Sequence, residues 1–364
     1  MCQQGRDRMP FELKEFRECS HTDEIFNSLK DDYDGFETWF NKKSKSGETA
    51  YVYVDKGSIQ AFLYVKDWED EAVGDLPKKP RIKIGTMKVC DTHKGKRLGE
   101  GAIGLALWKW QQSDLDEIYV TVYPKHTGLI ELLKSYGFRY GTKKGEEDVY
   151  IKDKTDMDYS DPKKAFPYLD PNFTRGRYIP INDTNHDRMF QNSELKNTDR
   201  VIGDLSVSNG MTKVYIATPI EKMDYKEGDA IFIYRRYTGK EHKPSYKSAV
   251  TSYCTVLRVI PVKEKGKVLV FFREYRNMAG NKTVYTDEEL STEFRKQNVY
   301  LIELLYNGYF GAGNNVNYST LVKEGLFKDE HPYKLKLTRE ETFKLLKMGG
   351  KNENDIIVNK SRAC

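Results

Sequence analysis

The stretch from Arg81 to Gln112 constrains this chain more than any other. Arg81 to Val89 alternates, with Ile82, Ile84 and Met87 apolar, which predicts a strand. From Gly99 to Gln112, Ile103, Ala106, Leu107 and Trp110 recur at i, i+3, i+4 and i+7, which predicts an amphipathic helix. Between them lies a short basic loop, Cys90 to Leu98, holding Lys94, Gly95, Lys96 and Arg97. A strand that turns through so short a loop into a helix belongs to a layered α/β architecture. The first turn of such a helix presents backbone N–H groups and the positive end of its dipole, a natural anion site. Glycine lets a ligand approach the backbone, the three cations add charge, and a pyrophosphate suits the place. The loop is not a Walker A loop, because no GxxxxGK[ST] occurs, and no GxGxxG follows the first strand as a dinucleotide fold requires. An ordinary basic turn between strand and helix is the bland alternative.

The flanking pattern extends the α/β reading. Two short helices are expected at Thr22 to Lys30 and Phe36 to Lys43, separated by Asp31, Asp32, Asp34 and Gly35. Ala50–Asp55 and Ile59–Lys66, split by Lys56, Gly57 and Ser58, read as a β-hairpin. After the amphipathic helix come a strand at Ile118–Val122, a helix from Thr127 to Tyr136 closed by Gly137, and a strand at Val149–Lys152. Residues 1–152 thus predict one mixed α/β domain. Residues 153–200, poor in apolar side chains and rich in Asp and Asn, predict an extended connector with some packed pieces. Residues 201–364 predict a small, mainly β, barrel-like domain with appended helices. Its strands are expected at Lys213–Ala217, Ala230–Tyr237, Val250–Pro261, Lys267–Tyr275 and Tyr300–Tyr306, with helices near Glu288–Lys296 and after the capping box Thr338/Glu341.

Composition narrows the function. With 364 residues, two domains are expected. No run of 18 apolar residues occurs, so no membrane span is expected, and the N-terminus lacks the apolar core of a signal peptide. The five cysteines are scattered without a CxxC pair and the six histidines form no HExxH, so reduced thiols, a cytoplasmic setting and no metal are expected. Residues 1–160 hold 26 Lys and Arg against 29 Asp and Glu, which leaves 34 against 26 for the remainder. Only the second part is biased towards polyanions.

The loop from Lys94 to Gly99 resembles the acetyl-CoA loop of the GNAT N-acetyltransferases, [Q/R]xxGx[G/A]. Lys94 takes the Gln/Arg position, Arg97 the first glycine and Gly99 the second, so two of three positions depart from the pattern. His126 to Phe138, ending in Gly137-Phe138, resembles the second motif of the same family. The resemblance covers residues 10–152 and implies a mixed-sheet GNAT fold with acetyl-CoA as co-substrate. Backbone groups of Met87 and Val89 would hold the pantetheine arm between splayed strands. Amides of Gly95, Lys96, Arg97, Leu98, Gly99 and Glu100 would hold the pyrophosphate beside the Lys94 side chain. His126 stands where the family often has Asn, and Leu133 where it often has an acidic tyrosine. Tyr136 and Tyr123 are the substitute candidates for the acid, and Glu131 or water for the base.

Glu227–Arg236 and Ala249–Cys254 resemble the PUA-like superfamily, which includes ASCH and EVE domains. That implies a β barrel that binds RNA, with Tyr234, Arg235, Arg236, Ser252 and Tyr253 as contacts. The leading expectation is an acyltransferase that moves an acetyl group to an amine or similar nucleophile, on an RNA or RNA-bound substrate. The alternative is a catalytically weak regulatory protein, of antitoxin or defence-module type, that binds acetyl-CoA together with nucleic acid or a partner protein. Neither implies a membrane.

Overall fold

The structure is a computed structural model that describes residues 11–93, 95–193, 195, 206–239, 244–328, 331–352 and 356–357. The chain divides into two compact units, one ending at Met157 and the other beginning at Asp158.

The first unit is built on a seven-stranded sheet with strand order β1-β2-β3-β4-β5-β7-β6. These strands are β1 (Glu12–Glu15), β2 (Thr49–Asp55), β3 (Ser58–Glu69), β4 (Arg81–Val89), β5 (Glu117–Val122), β6 (Arg139–Lys144) and β7 (Glu147–Asp153). Every pair is antiparallel except β4 and β5. Helices α1 (Asn27–Asp32) and α2 (Phe36–Lys45) cover the face carrying Val52, Phe62 and Tyr64, where Phe16, Phe26 and Phe40 form an aromatic core. Helix α3 (Leu98–Gln111) buries Ile103, Ala106, Leu107 and Trp110, the four residues of the sequence stripe. Helix α4 (Thr127–Ser135) ends on Gly137 at φ 82, a left-handed position that favours glycine. Strands β1 and β6 escaped the sequence reading because β1 is four residues long and every residue of β6 except Thr142 is exposed. Neither carries the alternation that marks a half-buried strand.

The second unit contains β8 (Gly176–Asn182), β9 (Thr212–Ala217), β10 (Ala230–Arg236), β11 (Ala249–Glu264), β12 (Lys267–Val268), β13 (Val299–Tyr309), β14 (Val316–Asn317) and β15 (Lys336–Leu337). The main path is β15-β8-β10-β11-β13-β9, with β12 and β14 also paired to β11. Among the described residues no pairing joins β9 to β15, so the expected PUA-like barrel is replaced by an open mixed sheet. At its centre, the 16 residues of β11 shift register three times against β13 and pair with four strands. The expected connector is corrected too. Residues 158–193 belong to the second unit, and β8 runs parallel to β10, between it and β15. The expected strand Lys267–Tyr275 is two residues of β12 followed by a helix, Phe272–Ala279, whose Tyr275 and Ala279 are buried.

Candidate active site in the first unit

Strands β4 and β5 stay in register only from Ile82/Ile118 to Ile84/Val120. Beyond that point they separate, although β4 runs on to Val89 and β5 to Val122. Gly85 marks the divergence. Tyr64 pairs with Thr86 and Val65 with Ile84, so Gly85 has no partner on β3 and forms a bulge. A Cβ there would lie 2.7 Å from Tyr64 Cδ1, so the close approach requires glycine.

The result is a cleft of about 800 Å³ lined by β4, β5, the start of α3, the start of α4 and the α1–α2 turn. That volume suits a ligand of cofactor size. The Cys90 N–H donates to Gln60 O at 2.8 Å, so strand alternation points the N–H groups of Met87 and Val89 away from β3 and into the gap. An edge of this kind offers a ligand the hydrogen bonds that a missing strand would have made.

Two helix N-termini border the same cleft. In α3 the first helical bond runs from Gly101 N to Arg97 O, which places the amides of Leu98 and Gly99 ahead of it. Arg97 is the N-cap residue, with φ 58, ψ 22 and no side-chain cap. The arginine at a glycine-like position therefore adopts a left-handed backbone, at a cost of about 1–2 kcal/mol. In α4 the N-cap is His126, and its ring does not cap the helix either.

The basic loop is less positive than its sequence implies. Asp55, buried at the end of β2, accepts from His93 Nε2 at 3.1 Å and Lys96 Nζ at 3.3 Å. Arg97 Nη2 pairs with Glu100 Oε2 at 2.6 Å, and Tyr136 donates to Glu100 Oε1 at 2.8 Å. Among the described residues of the loop, Lys96 and Arg97 are engaged by carboxylates, which leaves backbone amides and the helix dipoles to hold an anion.

Of the expected cofactor residues, Met87, Val89, Gly95, Arg97, Leu98, Gly99 and His126 line the cleft. Lys96 and Glu100 turn to the partners just described, and Lys94 lies outside the described residues. The expected catalytic residues fare differently. Tyr136 is fully buried and outside the cleft lining, and burial followed by the Glu100 charge pushes its phenol well up. It is therefore corrected from acid candidate to a support for Glu100. Tyr123 lies outside the lining and donates to Asp32 O at 3.3 Å. Glu131 is exposed on α4 and also outside the lining.

The groups that do occupy the far wall were missed. Tyr33 donates to Glu147 Oε1 at 2.7 Å, and both line the cleft. Burial, then Glu147, raises the Tyr33 phenol above its ordinary range. Asp32 Oδ2 lies 3.2 Å from His126 Nε2, and Asp32 is held below the usual carboxylate range first by its hydrogen bond from Lys125. Lys83, on β4, also faces the cleft. The only sequence sign of this wall was the acidic turn 31–35. Gly35, at φ 81, makes the turn that swings these residues against the sheet.

In the second unit the expected nucleic-acid contacts are consumed by the core. Tyr234 packs its ring 5.1 Å from Phe327, Tyr253 stacks on Phe310, and Ser252 is fully buried. Arg235 is buried and pairs with Asp187 at 2.8 Å. Arg236 alone of the five is exposed. The Tyr/Arg interleaving is that of a strand with an aromatic core face, so this expectation is withdrawn. Among the described residues no helix is long and apolar enough to cross a membrane, and no group of three His, Cys, Asp or Glu is placed to hold a metal.

No protein-family model and no curated protein sequence matches the chain. Comparison of folds finds solved acetyltransferases. The PaiA N-acetyltransferase of Thermoplasma acidophilum, in complex with coenzyme A, is 12% identical, covers 40% of this chain and 99% of its own, and gives a TM-score of 0.30. An N-acetyltransferase of Staphylococcus aureus is 12% identical over 40% of this chain and 98% of its own, with a TM-score of 0.31. A GNAT-family acetyltransferase of Listeria monocytogenes is 13% identical over 40% of this chain and 99% of its own, also at 0.31.

Proposed function

We propose that the first unit binds an acyl-coenzyme A, acetyl-CoA being the expected form, and passes the acyl group to an amine. The supporting observation is the gap beyond Ile84 and Val120, with the Met87 and Val89 edge on one side and the α3 N-terminus at its mouth. An extended amide-bearing arm fits the strand edge. A pyrophosphate fits the amides of Leu98 and Gly99.

The thioester carbonyl would rest on the backbone N–H groups of β4, which stabilise negative charge on its oxygen as the nucleophile adds. Holding thioester and amine in one cleft supplies most of the remaining rate gain. The acceptor would enter past the α1–α2 turn, beside the hydrogen-bonded Tyr33–Glu147 pair. Glu147 keeps a second oxygen to orient or deprotonate an amine, while Tyr33 fixes the carboxylate in place.

A second reading, binding without turnover, draws on the placement of Tyr136 and Glu131 outside the cleft. One experiment separates the two. Calorimetry with coenzyme A and acetyl-CoA is expected to show binding to the full chain, and thiol release in the presence of a panel of primary amines is expected to show turnover. Binding without thiol release selects the second reading. Absence of binding defeats both.

A further inference from the structure

Lys83 takes no part in holding the cofactor, yet it sits at the apex of the cleft. It pairs with Tyr119 one rung before the β4–β5 ladder ends at Ile84/Val120. Opposite it on β3 is Lys66, which shares a sheet face with Phe62 and Tyr64. Its side chain therefore lies on the α1–α2 face, where the acceptor would enter. The side chain is 21% exposed, enough to reach the cleft and too little to be fully hydrated.

Its surroundings suit a reacting amine. Lys83 Nζ lies 3.5 Å from Glu69 Oε2 and 5.6 Å from the centre of the Tyr119 ring. Tyr119 donates to Glu69, and Lys66 Nζ pairs with Glu69 Oε1 at 3.2 Å. Burial is the main influence on the ammonium and lowers its pKa, with the Lys144 and Lys66 charges in the same direction and Glu69 opposing. Burial would raise the Glu69 carboxyl, but the Tyr119 hydrogen bond and the Lys83 and Lys66 charges outweigh it, so Glu69 stays ionised and able to accept a proton.

We propose that Lys83 is a self-acetylation site, modified by the acyl-coenzyme A bound in its own cleft. The inference rests on the acyl-coenzyme A reading of that cleft. In the step, neutral Nζ attacks the thioester carbonyl, the N–C bond forms and the C–S bond breaks. The sulfur leaves as the coenzyme A thiolate, and the surplus proton on nitrogen passes to Glu69. The product is an uncharged amide at the cleft apex, where it would obstruct an incoming acceptor and slow further transfer.

The test uses the full chain incubated with acetyl-CoA at mildly alkaline pH, followed by intact-mass and peptide mass spectrometry at two protein concentrations. Coenzyme A binding is measured in parallel by calorimetry. The expected result is one acetyl group on Lys83, formed at a rate independent of protein concentration. That rate should exceed the rate at exposed Lys78, 71% accessible, by about tenfold or more because the thioester is held close. Lys83→Arg should abolish the modification. Glu69→Gln should slow it by about tenfold while coenzyme A affinity stays unchanged. If coenzyme A binds but acetyl groups appear on exposed lysines and not on Lys83, the proposal is overturned and the cleft reading survives. If coenzyme A does not bind, both fall.

Discussion

The two units treat their central strands in opposite ways. In the first, nine-residue β4 gives up its β5 neighbour after Ile84, and the edge it exposes borders a cleft. In the second, 16-residue β11 is paired by β10, β14, β13 and β12, and from Ala249 to Val256 it is buried without a break. The charges follow the same division. In the second unit Arg175, Arg177 and Arg235 are spent on Asp229, Asp224 and Asp187. In the first, Tyr33, Glu147 and Lys83 face a space large enough for a ligand. The lesson is that available backbone and reachable charge mark a site better than net charge does, since the more basic part of the chain commits Arg175, Arg177 and Arg235 to carboxylates of its own.

The sharpest way to break this comparison is Arg235→Ala. If Arg235 serves the core, its loss leaves Asp187 without its guanidinium and His186 beside an uncompensated carboxylate, and costs the second unit about 3 kcal/mol or more. Denaturant unfolding would show it, with coenzyme A affinity of the first unit unchanged. A stable variant that had lost affinity for RNA would instead restore the nucleic-acid reading.

Next in size is Gly85→Val. The added side chain strikes the Tyr64 ring and must shift the bulge, at about 1–3 kcal/mol. Coenzyme A affinity is expected to fall by about tenfold or more, because the bulge sets where β4 parts from β5. Unchanged affinity with normal folding would mean that the gap is not the binding site. Tyr136→Phe removes a buried hydrogen bond to Glu100 and should cost about 1–2 kcal/mol of stability. The maximal transfer rate should be unaffected, and a large drop in it would return Tyr136 to an acid role.

The second unit should also answer to pH. Burial, opposed by Asp187, lowers the His186 pKa below 6.5, so the folded state resists a proton that the unfolded state accepts. Its stability is therefore complete above about pH 6.5 and declines as the pH falls below it, by at most tenfold in the folding constant per pH unit. Burial would raise Asp187, but the Arg235 and His186 contacts prevail and hold it at about 2. That contribution is present above the unfolded carboxylate pKa and is lost as the pH falls towards 2. His186→Gln should flatten the upper limb and leave most of the lower one to the Arg235 contact, as thermal melts from about pH 2 to about pH 8 would reveal.

The smallest expected effect belongs to Lys96→Ala. With its ammonium held near Asp55, it should weaken coenzyme A binding by no more than about threefold, an exposed-pair magnitude. A tenfold loss would mean that the loop rearranges to bring Lys96 onto the ligand.

Legibility in the sequence tracked the range of the interactions involved. The stripe on α3, the hairpin of β2 and β3, Gly137 and the Thr338/Glu341 capping box depend on neighbours within a few residues, and each was readable. The far wall of the cleft was not. Tyr33 and Glu147 are 114 residues apart, Asp32 and His126 are 94 apart, and nothing local in either member signals the other. The second unit misled for a related reason. A strand in which tyrosine adjoins arginine looks the same whether its partners are bases or buried carboxylates.

By itself the sequence determined the α/β character of the first unit, the strand-loop-helix around Gly95 to Gly99, and the absence of a long apolar span, because these follow from periodicity and composition. Tertiary structure decided where β4 leaves β5, which carboxylates neutralise the loop, that β8 belongs to the second sheet, and which tyrosines are core. Those outcomes depend on pairing between distant segments, and the free energy of such pairing is set by geometry that no local window of residues contains.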